Sequence, residues 1–596
     1  MNMKKNIFII VALVAVALTG CDFLDQEPDM RASIDTKKKV QLLLVSAYTQ
    51  ANNAPICEYS SDNMIDNNAP DPRTGQANAE NPLEEMYNEI FAWKPVKSSG
   101  SQDSPKFIWD GNYMAIATAN QALEAIKKLE AEGINMNAEK AEALLSRAYH
   151  HFMLASVFCQ AWKNEEESKK DLGLTYMMQP ETKVAPVYSR GPELVVNTTE
   201  SGDTAWIGGS LYHTFMNIER DLEAGLKLVT DEYYTIPRYH FNVKAAHAFA
   251  ARFYLYKRDW AKVVEHADYV LTTTDETTLA MLFDATTNRD QSNIELAFKH
   301  YIDVQAPCNL LLIATYSSSA YAHFPGYGRY QYNGEAQDFT TYGSGPCWSG
   351  QFPGIGTWSA DQKLGGFVAK DYYDFEYTDK VAGYGYIRMV NRAFTTNETL
   401  LSRAEAKVHL GDLAGATNDL RLWCQSYNVG GRMSMLPDST VDLSQEKITK
   451  FYNEKLGSKY APELNNQKMA SDWNISAEQM PFIHCALHFR RIETLHDGLR
   501  WQDIKRYGIE IEHVQGKDAA RKLVWNDDRR AIQLPQEVIV AGMTANPREV
   551  LGDQIDGNQA PSHNLKPNDV YTPSQPVASN ALAQPAAKFE LVEDEE

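Results

Sequence analysis

Apolar residues recurring at three- and four-residue steps dominate the chain and predict helices. In "WDGNYMAIATANQALEAIKKLEAEG", Tyr113, Ile116, Ala119, Leu123, Ile126 and Leu129 form one stripe. In "AEKAEALLSRAYHHFMLASVFCQAW", Leu144, Ala148, Phe152, Ala155 and Phe158 form another, and Gly133 between the two is a stop. The spacing predicts an antiparallel helix pair. Periodicity returns in "HFRRIETLHDGLRWQDIKRYG" at Phe489, Ile492, Leu495, Leu499, Ile504 and Tyr507. Beyond it, "DDRRAIQLPQEVIVAGMTANP" predicts a short extended piece, a proline break and a short closing helix.

Two segments repeat one another. "AARFYLYKRDWAKVVEHADYVL" and "SRAEAKVHLGDLAGATNDLRLW" align when Asp259-Trp260 is set against Asp412-Leu413. Ala251 then meets Ala404, Val263 meets Ala416, Ala267 meets Leu420 and Val270 meets Trp423. Small residues where two helices touch, around a tight polar turn, make a tetratricopeptide-like unit. Between these units the helical stripe disappears. From Tyr316 to Trp358, eleven of 43 residues are aromatic and eight are Gly, which predicts loops and short strands. Loops on a rigid scaffold are where binding residues tend to sit.

The N-terminus changes the picture. "MNMKKNIFIIVALVAVALTGC" has Lys4 and Lys5, an apolar run from Ile7 to Leu18 and then Thr19-Gly20-Cys21. The run is too short for a comfortable membrane span and suits a secretory signal. Ending in Leu-Thr-Gly-Cys, it looks like a bacterial lipobox, which makes Cys21 the expected lipid attachment point. A net charge of −21 argues against nonspecific nucleic-acid binding. The six later cysteines are scattered without a CxxC pair, so isolated buried thiols are expected.

Catalytic signatures are not evident. The sequence has no HExxH, no GxSxG and no Walker-type phosphate loop. His150-His151 predicts one packed and one exposed ring. His484 and His488 stand four apart, without an acidic third ligand at helical spacing. "SDNMIDNNAPD" is rich in oxygen donors but lacks the Gly and Glu of an EF-hand, and reads as a polar ligand-facing loop. The expectation is a binding protein with no catalytic residues, no metal and no cofactor.

Several marks together resemble the SusD/RagB family of Bacteroidetes surface lipoproteins. They are the lipobox and acidic tether; Trp109, Tyr113, Ile116 and Asn120 in "FIWDGNYMAIATANQALEAI"; and the helix "LLSRAYHHFML". To these add Arg491, Glu493, Gly498, Arg500, Trp501, Asp503 and Arg506 in "RRIETLHDGLRWQDIKRYG", and the closing "LPQEVIVAGMTANP". His496-Asp497 stands where the family usually has Phe-Glu. The resemblance implies a mostly α-helical fold: a tetratricopeptide-like helical-repeat scaffold under a loop-rich, irregular ligand-binding face. It also implies an outer-membrane partner, a SusC-like TonB-dependent transporter, and an oligosaccharide or oligopeptide ligand.

The expected organisation is a signal peptide at 1–20, a lipidated Cys and tether at 21–40, a single domain at 41–560 and a Pro/Ala-rich acidic tail at 561–596. Helix pairs are expected near 108–162, 210–272 and 397–427, with the aromatic loop insertion at 300–395. The family motif supplies no ligand residues. Ring density and glycine interleaving single out Trp93, Tyr327, Tyr330, Tyr332, Trp348 and Trp358 as stacking platforms, with Arg329, Asn333, Asp66 and Asn67 as hydrogen-bond partners. Arg500 and Asp503, three apart on a helix, are expected to pair with each other or cap backbone.

Overall fold

A computed structural model describes residues 33–70, 85–97, 100–181, 190–272, 274–319, 323, 328–350, 352, 357–358, 366–429, 440–518 and 520–548. Cys21, Tyr327 and the tail from 561 lie outside the described residues, as does the side chain of Trp358. The fold is mostly α. In chain order the helices that build the frame are α1 (Lys37–Leu44), α2 (Ala54–Ser60), α3 (Glu85–Phe91), α4 (Pro105–Ala131), α5 (Asn137–Phe158) and α6 (Leu211–Leu226). They continue with α7 (Val243–Lys257), α8 (Trp260–Val270), α9 (Thr396–His409), α10 (Leu413–Ser426), α11 (Met480–Glu493) and α12 (Leu499–Tyr507). Helix α1 begins inside the stretch expected to be tether, because Thr36 caps it and Val40 and Leu44 are buried.

Local chemistry sets these boundaries. Ser104 caps α4 by accepting from the Phe107 N–H, and Pro105 follows where its missing donor costs nothing. After α4, Gly133 adopts a φ of +85°, which stops the helix as its position in the sequence suggested. Helix α5 packs between α4 and α6, so almost its whole length is buried. One buried arginine ties the three together. Arg147 bonds Asp221 at 2.6 and 3.0 Å and Asn120 at 2.9 Å.

The repeat alignment corresponds to matching helix pairs, α7/α8 and α9/α10. Asp259 caps α8 by accepting from the Lys262 N–H, and Asp412 caps α10 by accepting from the Gly415 N–H. Every aligned residue, Ala251 and Ala404, Val263 and Ala416, Ala267 and Leu420, Val270 and Trp423, is buried. Burying each larger side chain contributes about 1.5–3 kcal/mol, which is what holds the pairs closed.

Helices α9, α11 and α12 meet around a buried ion network. Glu405 accepts from Arg506 at 2.8 and 3.1 Å and from the Tyr507 hydroxyl at 2.7 Å. Asp503 accepts from Arg506 at 2.7 Å and from Arg490 at 3.2 Å. The expected Arg500–Asp503 pair is not made. Arg500 reaches Asp62 instead, at 2.8 and 3.0 Å, so these charges fix tertiary geometry across distant segments.

Strands are few and placed by the insertions. Those that bear on the ligand face are β1 (Ile65–Asp66), β2 (Asn309–Tyr316), β3 (Tyr330–Gln331), β4 (Asp374–Asp379), β5 (Tyr384–Thr395), β6 (Ile511–His513) and β7 (Arg521–Leu523). The region 300–395, expected to be an insertion of loops and short strands, contains an antiparallel sheet of order β2-β5-β4 whose strand β5 runs for twelve residues. Strand β5 runs straight into α9, where Thr395 caps the helix by accepting from the Glu398 N–H.

Candidate functional site

Four of the aromatic rings expected to face ligand are packed inside. Tyr330 is 0% exposed, Tyr332 1%, Trp93 5% and Trp348 7%. Trp93, His513, Phe91 and Tyr330 form one continuous stack, with centroid separations of 4.3, 4.0 and 4.1 Å. The polar tips are satisfied internally. Trp93 Nε1 donates to the Ser60 carbonyl at 2.9 Å, and the Tyr330 hydroxyl donates to Asn88 at 2.7 Å. Trp348 donates to the Gly343 carbonyl at 2.9 Å and lies over Gly345, where a Cβ would stand 2.2 Å from the ring. These rings hold the insertion onto the scaffold and present no free face for stacking.

The expected polar partners form a knot between β1 and β3. Asp66 accepts from Arg329 at 2.6 and 2.8 Å and from the Gly516 N–H at 2.7 Å. Asn333 donates to Asn67 at 3.0 Å. Asp66 and Asn333 also line a cleft of about 570 Å³, with Phe91, Ile65 and Ile511 against Glu512 and Lys522. Much of its charge is already committed. Glu335 pairs with Lys459 at 2.7 Å and Glu510 with Lys522 at 2.8 Å. Burial favours protonation of Asp62 at its wall, but Arg491 and Arg500 prevail and hold that carboxyl well below the usual range.

A different set of rings faces outward. On β5 the period of two puts Tyr384, Tyr386 and Arg388 on one side and the buried Ile387 and Met389 on the other. Tyr384 is 72% exposed and Tyr386 49%. Arg388 sits opposite Tyr316 of β2, and Tyr386 opposite Glu376 of β4. The Tyr316 and Tyr386 rings lie 5.2 Å apart, and Arg388 stands 5.3 Å over Tyr316. Arg388 pairs with Glu376 and donates to the Tyr316 hydroxyl at 3.0 Å, which in turn donates to Glu376 at 3.2 Å. The result is an exposed tyrosine platform with a fixed guanidinium and carboxylate in its middle. Sequence reasoning passed over these tyrosines, although the alternation in "YGYIRMV" carries the signal.

Histidines and cysteines also depart from expectation. His150 and His151 are both fully buried, because α5 is enclosed on both sides. His488 bonds the Tyr452 hydroxyl at 2.8 Å, and His484 is buried beside it in the chain. The oxygen donors Asp62, Asn63 and Asp66 are taken by arginines. The thiols are mostly buried as expected, but not all are isolated: Cys347 and Cys424 stand 3.6 Å apart.

Residues 22–255 match the family model SusD-like_3, described as starch-binding and associating with the outer membrane. No curated protein matches the sequence. Among solved structures, a provisionally assigned sugar binding protein from Bacteroides vulgatus ATCC 8482 is 15% identical with a TM-score of 0.52, over 87% of this chain and 99% of its own. A SusD superfamily protein from Bacteroides fragilis is 12% identical with a TM-score of 0.51, over 86% and 99%. Another from Bacteroides vulgatus ATCC 8482 is 17% identical with a TM-score of 0.50, over 85% and 97%. At these identities the structural likeness speaks for the fold alone, which these proteins share beyond residue 255 as well. Residues 22–255 thus match the SusD-like family model, and the chain as a whole shares the fold of these SusD superfamily structures.

Proposed function

We propose that the protein captures oligosaccharides at the cell surface, tethered through Cys21, and hands them to a SusC-like TonB-dependent transporter. The observation that carries the ligand class is the platform of exposed Tyr384 and Tyr386 with half-buried Tyr316 around the Arg388–Glu376 pair. Sugar rings present CH faces that pack on tyrosine, and their hydroxyls both donate and accept, which an adjacent guanidinium and carboxylate match. Stacking and hydrogen bonding are binding chemistry, so no catalytic group is assigned. The descriptions of the family model and of the Bacteroides vulgatus sugar binding protein support the same reading. No helix among the described residues is long and apolar enough to cross a membrane, which fits a lipid-anchored chain.

A calorimetric screen of glycan and peptide pools tests the ligand class. Saturable heat from glycans is expected. Saturation by peptides alone, or turnover of either pool, would contradict it. For the partner, the chain recovered from solubilised outer membranes should bring a TonB-dependent barrel with it, and recovery without one counts against the handover.

A further inference from the structure

Three buried side chains from segments remote in sequence converge at one point. His323 follows β2, Asp371 ends the one-turn 3-10 helix Ala369–Asp371, and His496 lies in the turn between α11 and α12. Their ligating atoms all lie within 4.8 Å of one another. Exposure is 2% for His323, 4% for Asp371 and 5% for His496. His323 Nδ1 bonds Asp371 Oδ2, and His496 Nδ1 stands 3.4 Å from that same oxygen.

The rest of both rings is unsatisfied. Nε2 of His323 and Nε2 of His496 are buried without a hydrogen-bond partner, and Nδ1 of His496 has only its long, poorly aligned approach to Asp371. An unpaired buried polar atom costs about 1–3 kcal/mol, so two such nitrogens and a third poorly satisfied one around one carboxylate point to a ligand that takes nitrogen lone pairs. His496 is also held at a φ of +67°, a strained conformation for a residue with a Cβ.

A borderline divalent cation fits this donor set. Two imidazoles and one carboxylate suit Zn²⁺, whereas Ca²⁺ and Mg²⁺ prefer oxygen alone. Tetrahedral ligands at about 2.0–2.1 Å from a zinc stand about 3.4 Å apart. The Asp371–His496 separation already has that value, no pair needs to close by more than about 1.4 Å, and the short His323–Asp371 hydrogen bond opens as its proton gives way to the ion. The three side chains leave the fourth tetrahedral position to a water, for which the cavity of about 20 Å³ lined by Asp371 and His496 has room.

We propose that His323, Asp371 and His496 bind one Zn²⁺ ion, which clasps the segment after β2 and the helix Ala369–Asp371 to the turn between α11 and α12. The full chain, purified in detergent and stripped with chelator, is titrated with Zn²⁺ alone. One equivalent should bind, survive gel filtration and raise the thermal midpoint. In His496→Phe and Asp371→Asn with unchanged far-UV circular dichroism, affinity should fall by at least about 100-fold, the upper end of the loss seen for groups that only support a ligand, and the thermal shift should vanish. Wild-type protein loaded with Co²⁺ should show the intense visible bands of four-coordinate cobalt, a readout that needs no variant to fold. Equal zinc binding by wild type and both variants, no stoichiometric zinc in the wild type, or only the weak bands of six-coordinate cobalt would overturn the proposal.

Discussion

The hydrogen bonds of His150 and His151 fix both rings in one protonation state. Each donates from Nδ1 to the carbonyl four residues earlier, Ser146 at 2.7 Å and Arg147 at 2.8 Å. Each accepts at Nε2 from a backbone N–H, Thr49 at 3.0 Å and Met177 at 3.1 Å. A second proton would set donor against donor. Burial lowers their pKa values to about 4 and about 3. The unfolded chain takes up these protons near pH 6.5, where the native rings refuse them. Stability from this source is therefore complete above pH 6.5 and is lost as the pH falls, by about 3 kcal/mol for each ring at pH 4. Urea denaturation at pH 7.5, 5.5 and 4 should show that decline, shallower in His151→Gln. A flat profile would contradict it. His323 works in the opposite sense, since Asp371 outweighs burial and raises its pKa.

Residue identity was easier to read than residue direction. The density of rings from Tyr316 to Trp358 marked an unusual segment, but composition cannot say which side a ring faces. By composition alone Tyr330 and Tyr332 are no different from Tyr384 and Tyr386, yet the first two are buried and the second two exposed. Partners from elsewhere decided this: Phe91 and His513 enclose Tyr330, and Thr340 and Thr341 bind the Tyr332 hydroxyl. His323, Asp371 and His496 share no local spacing, so their meeting could not be found by motif at all.

Elements with local signals were legible. The α7/α8 and α9/α10 pairs follow from small-residue positions and an aspartate at each turn, and both aspartates are the N-caps that such turns require. Asp259→Ala and Asp412→Ala should each cost about 1 kcal/mol, and the double variant about 2 kcal/mol, because the two caps share no partner. Chemical denaturation reads this directly, and a double variant as stable as wild type would show that the caps are idle. The β2-β5-β4 sheet was missed for a physical reason. Strand β2 joins it through long-range pairing, Tyr316 with Arg388 across a glycine-rich stretch that hides any periodicity, whereas β4 and β5 form a local hairpin that pairs Glu376 with Tyr386. Only β5 carries a local signal, an alternation that begins after the densest ring cluster has ended.

At the scale of the whole molecule, the helical frame positions a surface it does not itself form. Strand β5 is mounted rigidly because it continues into α9, whose Thr396 N–H also donates to the Cys308 carbonyl at 3.0 Å. Lys370 reinforces the mount by reaching Asp497 at 2.7 Å and the Glu493 carbonyl at 3.0 Å. The tyrosine platform is thus held by buried charges and helix caps while its rings stay open to solvent. Such an arrangement lets stacking cost little ordering entropy on binding. The central claim is that carbohydrate binds on these exposed rings and not on the buried ones. Calorimetric titration of wild type and Tyr386→Ala with the glycan found in the pool screen tests it most directly. The account predicts about tenfold weaker binding at an unchanged thermal midpoint, since a half-exposed ring contributes stacking but little stability. Equal affinity in the two proteins would contradict it.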